Sequence, residues 1–361
     1  MSGSGGDGGP VVRTVLGDVP AGEAGIVLPH EHLLCDSSVW LQPPRDDTAR
    51  RLVDAPITLE NLWWMRQFPN TAREVVVLDD VDLAVAEVAQ FAALGGSTLV
   101  DLTPRELGRD VGAQAEISRR AGVHVVAATG HYIAPAHPAA VASATPEEVA
   151  EGFADEIEHG IDGTEHRAGI IGEIGLSHPV HPAEAKVLHA AALAQRRTGA
   201  AISVHTAAHA IEADSALDAL DLLDRHGADP RRVVLGHMDT TLHRPDYHRE
   251  VLARGAVLEF DLFGHEFFES ENGFQSFGDT ETARAVARLV DEGFAGQLLL
   301  SHDICYKIQL TRYGGYGYGH LLRNIRSRLA LWGCDDDAFD QMTRRNPQRV
   351  LALAAPSGGT P

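Results

Sequence analysis

The sequence predicts an α/β protein with the architecture of a (β/α)8 barrel of the TIM type, and three observations favour this prediction. The chain has 361 residues, which is enough for one large α/β domain. Eight short apolar runs follow one another from residue 25 onward, and stretches with helical apolar spacing separate them. No G-x-G-x-x-G motif follows any of these runs, so an open, doubly wound sheet is the weaker alternative.

The eight runs are the expected parallel strands of the barrel. They are mostly rich in Val, Ile and Leu, as is typical of strands that are buried on both faces. They lie at 25–32, 97–103, 123–130, 168–175, 201–206, 232–239, 256–262 and 297–303. Between them, 81–94, 182–194 and 280–290 repeat the apolar spacing of a helix.

The regions outside this alternation define the expected domain boundaries. Residues 1–20, which begin with a Gly-rich stretch, are expected to be a flexible tail, and 354–361 a second one. Residues 21–353 then form a single domain. Segment 36–80 is too long for an ordinary βα loop, and we expect it to fold over the barrel mouth.

Composition limits the class of partner. The chain has 51 acidic and 30 basic residues, a net charge of −21, which disfavours nucleic acid and anionic membrane surfaces as partners. Its three cysteines lie far apart, the N-terminal residues do not resemble a secretory signal, and no apolar run approaches the length of a membrane span. We therefore expect a cytoplasmic protein that acts on a small molecule.

Residues of the types that bind metals lie at or near the carboxyl ends of the expected strands, where barrel active sites form. They are His30 and His32 on the first strand, Glu173 on the fourth, His205 on the fifth, His237 on the sixth and Asp303 on the eighth. Glu173, His205 and His237 are each 32 residues apart, about one βα repeat, so they are expected at the same height around one mouth.

Four imidazoles and two carboxylates are the ligands that a two-metal site requires. Each residue alone has a simpler explanation: a strand-end histidine can be hydrogen-bonded, Glu173 can be an ion-pair partner, and Asp303 can cap a helix. The six together favour a site for two divalent cations, with zinc expected and manganese, iron or cobalt as alternatives. A non-catalytic ligand-binding protein on a barrel scaffold is the competing class.

Several longer motifs resemble those of the phosphotriesterase family of the amidohydrolase superfamily, in particular its phosphotriesterase-related branch. The resemblance covers roughly residues 22–352. The motifs are Leu28–Leu33 (LPHEHL), Gly169–Gly175 (GIIGEIG), Leu258–Gly264 (LEFDLFG), Ser301–Ile304 (SHDI) and Arg312–His320 (RYGGYGYGH).

The resemblance implies a barrel with a binuclear metal centre and a homodimeric assembly. It assigns His30, His32 and Asp303 to the more buried ion, His205 and His237 to the more exposed ion, and Glu173 to the bridge. Phosphotriesterases proper bridge their metals with a carboxylated lysine on the fourth strand, whereas this strand has no lysine. A glutamate also offers two oxygens to two cations, but the difference favours an ester, lactone or amide over a triester as substrate.

The expected mechanism uses a metal-bridging hydroxide, with Asp303 as the catalytic residue that accepts its proton. A true organophosphate triesterase is the alternative activity. Tyr132 is a candidate substrate contact or a rim aromatic, and Lys307 and Arg312 are candidates for holding an anionic group. His302 either orients Asp303 or packs beside it.

Overall fold

The eight apolar runs form eight parallel strands, each beside its neighbour in the chain, as predicted. The computed structural model describes residues 9–42, 44, 46–266, 268–269 and 274–353. A hairpin of β1 (Val11–Thr14) and β2 (Gly17–Pro20) comes first. The barrel strands that follow are β3 (Ile26–Glu31), β4 (Gly96–Asp101), β5 (His124–Thr129), β6 (Ala168–Gly175), β7 (Ile202–His205), β8 (Val233–Leu235), β9 (Val257–Phe260) and β10 (Leu298–Leu300). At the carboxyl end the first and last strands approach each other, since the Asp303 N–H donates to the His30 carbonyl at 3.1 Å.

Helices connect the strands and cover the outside of the barrel. The longer ones are Val81–Ala93, Val111–Ala121, Pro146–Glu158, Pro182–Thr198, Ser215–Arg225, Pro245–Ala253 and Asp279–Asp291. Their starts follow local capping chemistry: the Asp80 side chain accepts from Leu83 N–H, and Thr145 forms a capping box with Glu148. After β10 the chain continues through Leu321–Leu331 and Asp336–Leu351, two helical segments that each include a π-helical turn. No helix among the described residues combines the length and apolar character needed to cross a bilayer.

Successive side chains on each strand point alternately into the barrel interior and outward to the layer under the helices. One buried apolar cluster takes residues from seven of the eight strands and from the residue just before β7, so it fills the interior: Val27, Val100, Val126, Ile170, Ala201, Val234, Val257 and Leu299. Their sequence neighbours, such as Leu28, Leu258 and Leu298, belong to the larger cluster that contacts the helices.

The amino end of the barrel is closed by a hairpin, which corrects the expected tail at 1–20. Residues 11–20 form the antiparallel strands β1 (Val11–Thr14) and β2 (Gly17–Pro20). The Val12 side chain is fully buried in the interior cluster, and its backbone pairs with Ala352 near the end of the described chain. The burial of Val12 gives these residues a fixed position, and the domain includes them. Residues 1–8 and the expected tail 354–361 lie outside the described residues.

Segment 36–80 packs at the mouth of the barrel, as expected. It contains the short helices Asp47–Leu52, Leu62–Gln67 and Arg73–Val76. Its buried side chains, among them Met65, pack against Tyr306 and Ile308 from the loop after β10. Three further residues of the segment, Ser37, Trp40 and Asn70, line the cavity at the mouth.

Candidate active site

The fold brings the six predicted ligand residues together at the carboxyl end of the strands, around the carboxylate of Glu173. His205 Nδ1 lies 2.9 Å from Glu173 Oε2, and the Nε2 atoms of His30 and His237 lie 3.6 Å and 3.7 Å from the same oxygen. His32 Nε2 lies 3.7 Å from the other oxygen, Oε1. One buried carboxylate is therefore shared by four imidazoles.

Asp303 completes the arrangement from the eighth strand. Its Oδ1 lies 3.2 Å from His32 Nε2 and 3.9 Å from His30 Nε2, and its Oδ2 lies 4.0 Å from His237 Nδ1. Its side chain is 14% exposed, so the carboxylate faces the cavity while the imidazoles behind it are buried.

The donor set fits divalent first-row cations. Three overlapping sets of donor atoms, each within 4.8 Å of one another, can be drawn from these residues: His30, His237 and Asp303; His30, His32 and Glu173; and Glu173, His205 and His237. His30 Nε2 is buried and has no hydrogen-bond partner among the described residues, an unusual state for a polar atom. Neutral imidazole nitrogens and carboxylate oxygens are common ligands of zinc and its neighbours.

The surroundings keep both carboxylates ionised. Burial would raise the pKa of Glu173, but the charge and the hydrogen bond of His205 and the nearby rings of His237 and His30 outweigh it and hold this pKa well below its usual range. Burial opposes ionisation of Asp303 as well, yet the hydrogen bond with His32 and the charges of His30 and His237 lower its pKa to about 2. Burial would lower the pKa of His237, but Asp261 and Glu173 raise it to about 10, so positive charge is favoured beside these carboxylates, whether on the rings or on a bound cation.

Two carboxylates, Glu259 on β9 and Asp261 just after it, orient the rings of His30 and His237. The sequence analysis did not identify them. Asp261 Oδ1 lies 3.0 Å from His237 Nδ1, and Asp261 Oδ2 lies 3.1 Å from His30 Nδ1. Glu259 Oε2 lies 3.0 Å from the same nitrogen of His30. Partners of this kind fix which ring nitrogen faces a metal. The signal was present, because Val257, Glu259 and Asp261 occupy alternate positions, so two ionisable residues face the barrel interior.

The backbone at the ends of two strands is adapted to this geometry. His237 and Asp303 have φ values of 60° and 48°, in the left-handed region that L-residues rarely adopt. The His237 N–H donates to both carboxylate oxygens of Asp261 at 3.0 Å, which supports the turn. Gly236 precedes it, and a Cβ there would lie 3.0 Å from Asp261 Oδ2. Strained backbone of this kind is concentrated at functional sites.

The central residue of the His-x-His motif, Glu31, ties the first strand to the eighth. Its carboxylate accepts hydrogen bonds from the backbone N–H groups of His302 and Ile304, both at 3.0 Å, and from the Ser301 hydroxyl at 2.8 Å. His302 Nδ1 lies 2.7 Å from Glu31, and its Nε2 accepts from Leu321 N–H. The His302 side chain is thus engaged with Glu31 and Leu321.

Tyr132 lies in the cavity beside the predicted ligands. Its hydroxyl accepts a hydrogen bond from Trp40 Nε1 at 3.0 Å and lies 3.4 Å from His205 Nε2. Burial raises its pKa well above 10, so the hydroxyl stays protonated. The cavity beside these residues is partly open to solvent.

The two basic candidates do not line this cavity, which corrects their expected role as substrate contacts. Lys307 Nζ lies 3.1 Å from Glu74 and 3.0 Å from Asp79, so its charge is already paired. Arg312 is exposed and is not among the lining residues. The sequence could not reveal either fact, because Glu74 and Asp79 lie more than 200 residues from Lys307 in the chain. His209, which lies outside the expected strands, also lines the cavity.

Comparisons with known proteins agree with the resemblance seen in the sequence. The chain matches the profile of the phosphotriesterase family over residues 10–351. An N-acetyltaurine hydrolase from Rattus norvegicus is 34% identical over 347 residues, which span 95% of this chain and 98% of that protein. A resiniferatoxin-binding protein from Rhodobacter sphaeroides is 41% identical, with a TM-score of 0.92 over 95% of each chain. A lactonase from Listeria monocytogenes is 25% identical, with a TM-score of 0.77 over 96% of this chain and 100% of its own.

Proposed function

The chain belongs to the phosphotriesterase family of hydrolases, and within that family we propose that it uses two divalent cations to hydrolyse a small ester, lactone or amide. His30, His32 and Asp303 would hold one cation. His205 and His237 would hold the other, and Glu173 would bridge the two. Zinc is the proposed metal, because imidazole and carboxylate ligands suit it.

The observation that carries this proposal is the sharing of one buried carboxylate by four histidines. Glu173 has no lysine or arginine partner among the described residues; the ion-pair partners within 4 Å of its carboxylate are all imidazoles. A buried structural glutamate is normally neutralised by a basic side chain, so this environment is better suited to a cation held between neutral ligands.

Each residue at the mouth then has a defined task. Bound cations would supply Lewis acidity, which lowers the pKa of a water and polarises the bond to be cleaved. Asp303 is ionised and faces the cavity, so it can accept the proton of the attacking water and pass it to the leaving group. Asp261 and Glu259 hold the rings of His237 and His30 in one orientation. Tyr132, with a protonated hydroxyl, can donate a hydrogen bond to a substrate oxygen.

The relatives support an acyl bond as the target. The rat and Listeria proteins are named for the hydrolysis of an N-acetyl amide and of a lactone, and both reactions begin with attack on a carbonyl carbon. A glutamate on the fourth strand, in place of the lysine of phosphotriesterases proper, agrees with this substrate class. We expect at most weak hydrolysis of phosphotriesters.

One observation favours a second candidate, a ligand-binding barrel without catalysis. The Rhodobacter protein is named for binding resiniferatoxin, and it is similar to this chain over nearly its whole length. A binding protein, however, has no use for an ionised carboxylate beside a set of metal-type ligands.

A substrate panel separates these functions. Zinc-loaded protein, chelator-treated protein and chelator-treated protein with zinc restored would be assayed against acyl esters, lactones, N-acyl amides and a chromogenic phosphotriester. We expect turnover of at least one acyl substrate that is lost with the metal and regained with it. Turnover of the triester alone would support the triesterase, and no turnover of any substrate would contradict the hydrolase.

A further inference from the structure

We propose, building on the function above, that the substrate is uncharged away from the bond that is cleaved and carries an aromatic or similarly flat apolar group. The inference comes from the side chains that line the cavity beyond the predicted metal ligands. It separates this chain from the rat relative, since N-acetyltaurine carries a sulfonate.

The first observation is an unbroken row of rings along the mouth. The Tyr132 and Trp40 rings are 6.2 Å apart between centroids, Trp40 and His209 are 4.8 Å apart, and His209 and Phe274 are 5.2 Å apart. Rings at 4.5–7 Å in tilted or edge-to-face orientations are in favourable contact. A flat apolar group in the cavity would extend this row.

The second observation is that three aliphatic side chains line the cavity beside this row. The rest of the wall outside the predicted ligands is formed by Ser37, Asn70, His265, Cys305 and Tyr306. Leu107 packs with Tyr132 in one buried cluster, and Ala208 and Leu262 pack with Phe274 in another. A group that contacts these clusters exchanges water for apolar contact, which stabilises a neutral ring and not a charged group.

The third observation concerns charge. Among the described residues that line the cavity, none is a lysine or an arginine. Lys307, the basic residue that follows the eighth strand, is paired with Glu74 and Asp79. The chain as a whole carries a net charge of −21, which opposes the approach of an anion. A sulfonate or carboxylate at the far end of the substrate would therefore lose its hydration without gaining a cationic partner.

A matched pair of acetamides tests the inference. N-acetyl-2-phenylethylamine and N-acetyltaurine have the same acetyl group and two-carbon stem, but one ends in phenyl and the other in sulfonate. Hydrolysis of either breaks the acyl C–N bond and consumes one water, giving acetate and the amine. The corresponding acetates, 2-phenylethyl acetate and 2-sulfoethyl acetate, repeat the comparison for an ester.

We expect zinc-loaded protein to favour the phenyl member of the pair it hydrolyses by about 100-fold or more in kcat/KM, since the sulfonate would be buried without a partner. Trp40→Ala should lower kcat/KM for the phenyl member about tenfold, and Trp40→Phe should restore most of it. Trp63→Ala is the matched control, because Trp63 lies in the same segment but is 66% exposed; it should behave as wild type.

A binding measurement separates this inference from the proposed function. Calorimetry with chelator-treated protein should give a Kd at least about tenfold lower for N-acetyl-2-phenylethylamine than for N-acetyltaurine. Equal or preferred turnover of the sulfonate members would overturn the inference and leave the hydrolase standing. Tight binding of the phenyl member with no turnover of the four compounds or of any substrate in the panel above would support the aromatic site and overturn the hydrolase.

Discussion

The two ends of the barrel contain different kinds of side chain. At the amino end the interior is apolar: Val27, Val257 and Leu299 pack together beneath the hairpin of β1 and β2. At the carboxyl end the same strands carry Glu173, His205 and their partners, buried without a neutralising lysine or arginine among the described residues. One end is built for stability and the other for chemistry, as is general for barrels of this type.

The difference has an energetic basis. Burial of apolar side chains stabilises the fold directly, whereas burial of ionised groups costs free energy that hydrogen bonds and opposite charges must offset. We therefore expect substitutions at the amino end to change stability but not activity. Substitutions at the carboxyl end should change activity but not stability.

The largest expected effect is at the mouth, in Asp303→Asn. Asparagine keeps the shape of the side chain but cannot accept the proton of the attacking water, so kcat should fall about 1000-fold or more. The free energy of unfolding should be equal to or higher than that of wild type. Kinetic assays and urea denaturation measure the two quantities; Asp291→Asn, at an exposed helix end, is the control. Unchanged kcat would remove Asp303 from the mechanism.

At the opposite end, Leu299→Ala should lower the free energy of unfolding by about 3 kcal/mol. Leu299 is 1% exposed inside the barrel, so the substitution leaves a cavity. We expect kcat/KM to stay within about twofold of wild type, because the cluster lies beneath the site. Leu331→Ala, at a residue that is 81% exposed, should change stability by less than about 0.5 kcal/mol. A large loss of activity in the folded Leu299 variant would show that the two ends are coupled.

Asp261→Asn tests the residues that orient the histidine rings, which lie between the two ends of the barrel. Asp261 contacts both His237 and His30 through Nδ1, and the amide cannot accept from both rings as the carboxylate does. Zinc affinity should fall about 10- to 100-fold, as is typical when an outer partner of a ligating histidine is lost. Competition with a chelator measures this, with Asp221→Asn on the surface as control. Wild-type affinity would indicate that Asp261 has a packing role alone.

The smallest expected effect concerns the hairpin. Asp18 forms two hydrogen bonds with Arg13, at 2.8 Å and 2.9 Å, and the pair lowers the pKa of Asp18. Because the folded-state pKa is lowered, the stabilisation is present above pH about 4 and is lost as the pH falls through the folded-state pKa. Asp18→Asn should cost about 0.5 kcal/mol at pH 7 and almost nothing near pH 2. Denaturation at both pH values measures this; a cost that does not change with pH would contradict the account.

The sequence was sufficient for the features that repeat. The eight strands were predictable because each is a short apolar run, and the six residues of the candidate centre because they recur at strand ends with the spacing of a βα repeat. Glu173 could be recognised because no other ionisable side chain occurs on its strand.

The features that the sequence did not reveal depend on contacts between distant residues. The role of Lys307 could not be read without Glu74 and Asp79, which are brought to it by segment 36–80. The hairpin at 11–20 was hidden by the Gly-rich stretch before it, since its burial depends on Ala352 at the other end of the domain.

The central claim is that Glu173 holds the cations in this site, and the metal content of purified protein tests it most directly. Zinc-loaded wild type and Glu173→Gln would be dialysed and examined by elemental analysis, with exposed Glu60→Gln as the matched control. The account predicts about two zinc ions per chain in wild type and the control, and fewer than about one in Glu173→Gln. Two tightly held ions in Glu173→Gln, with wild-type turnover, would contradict it.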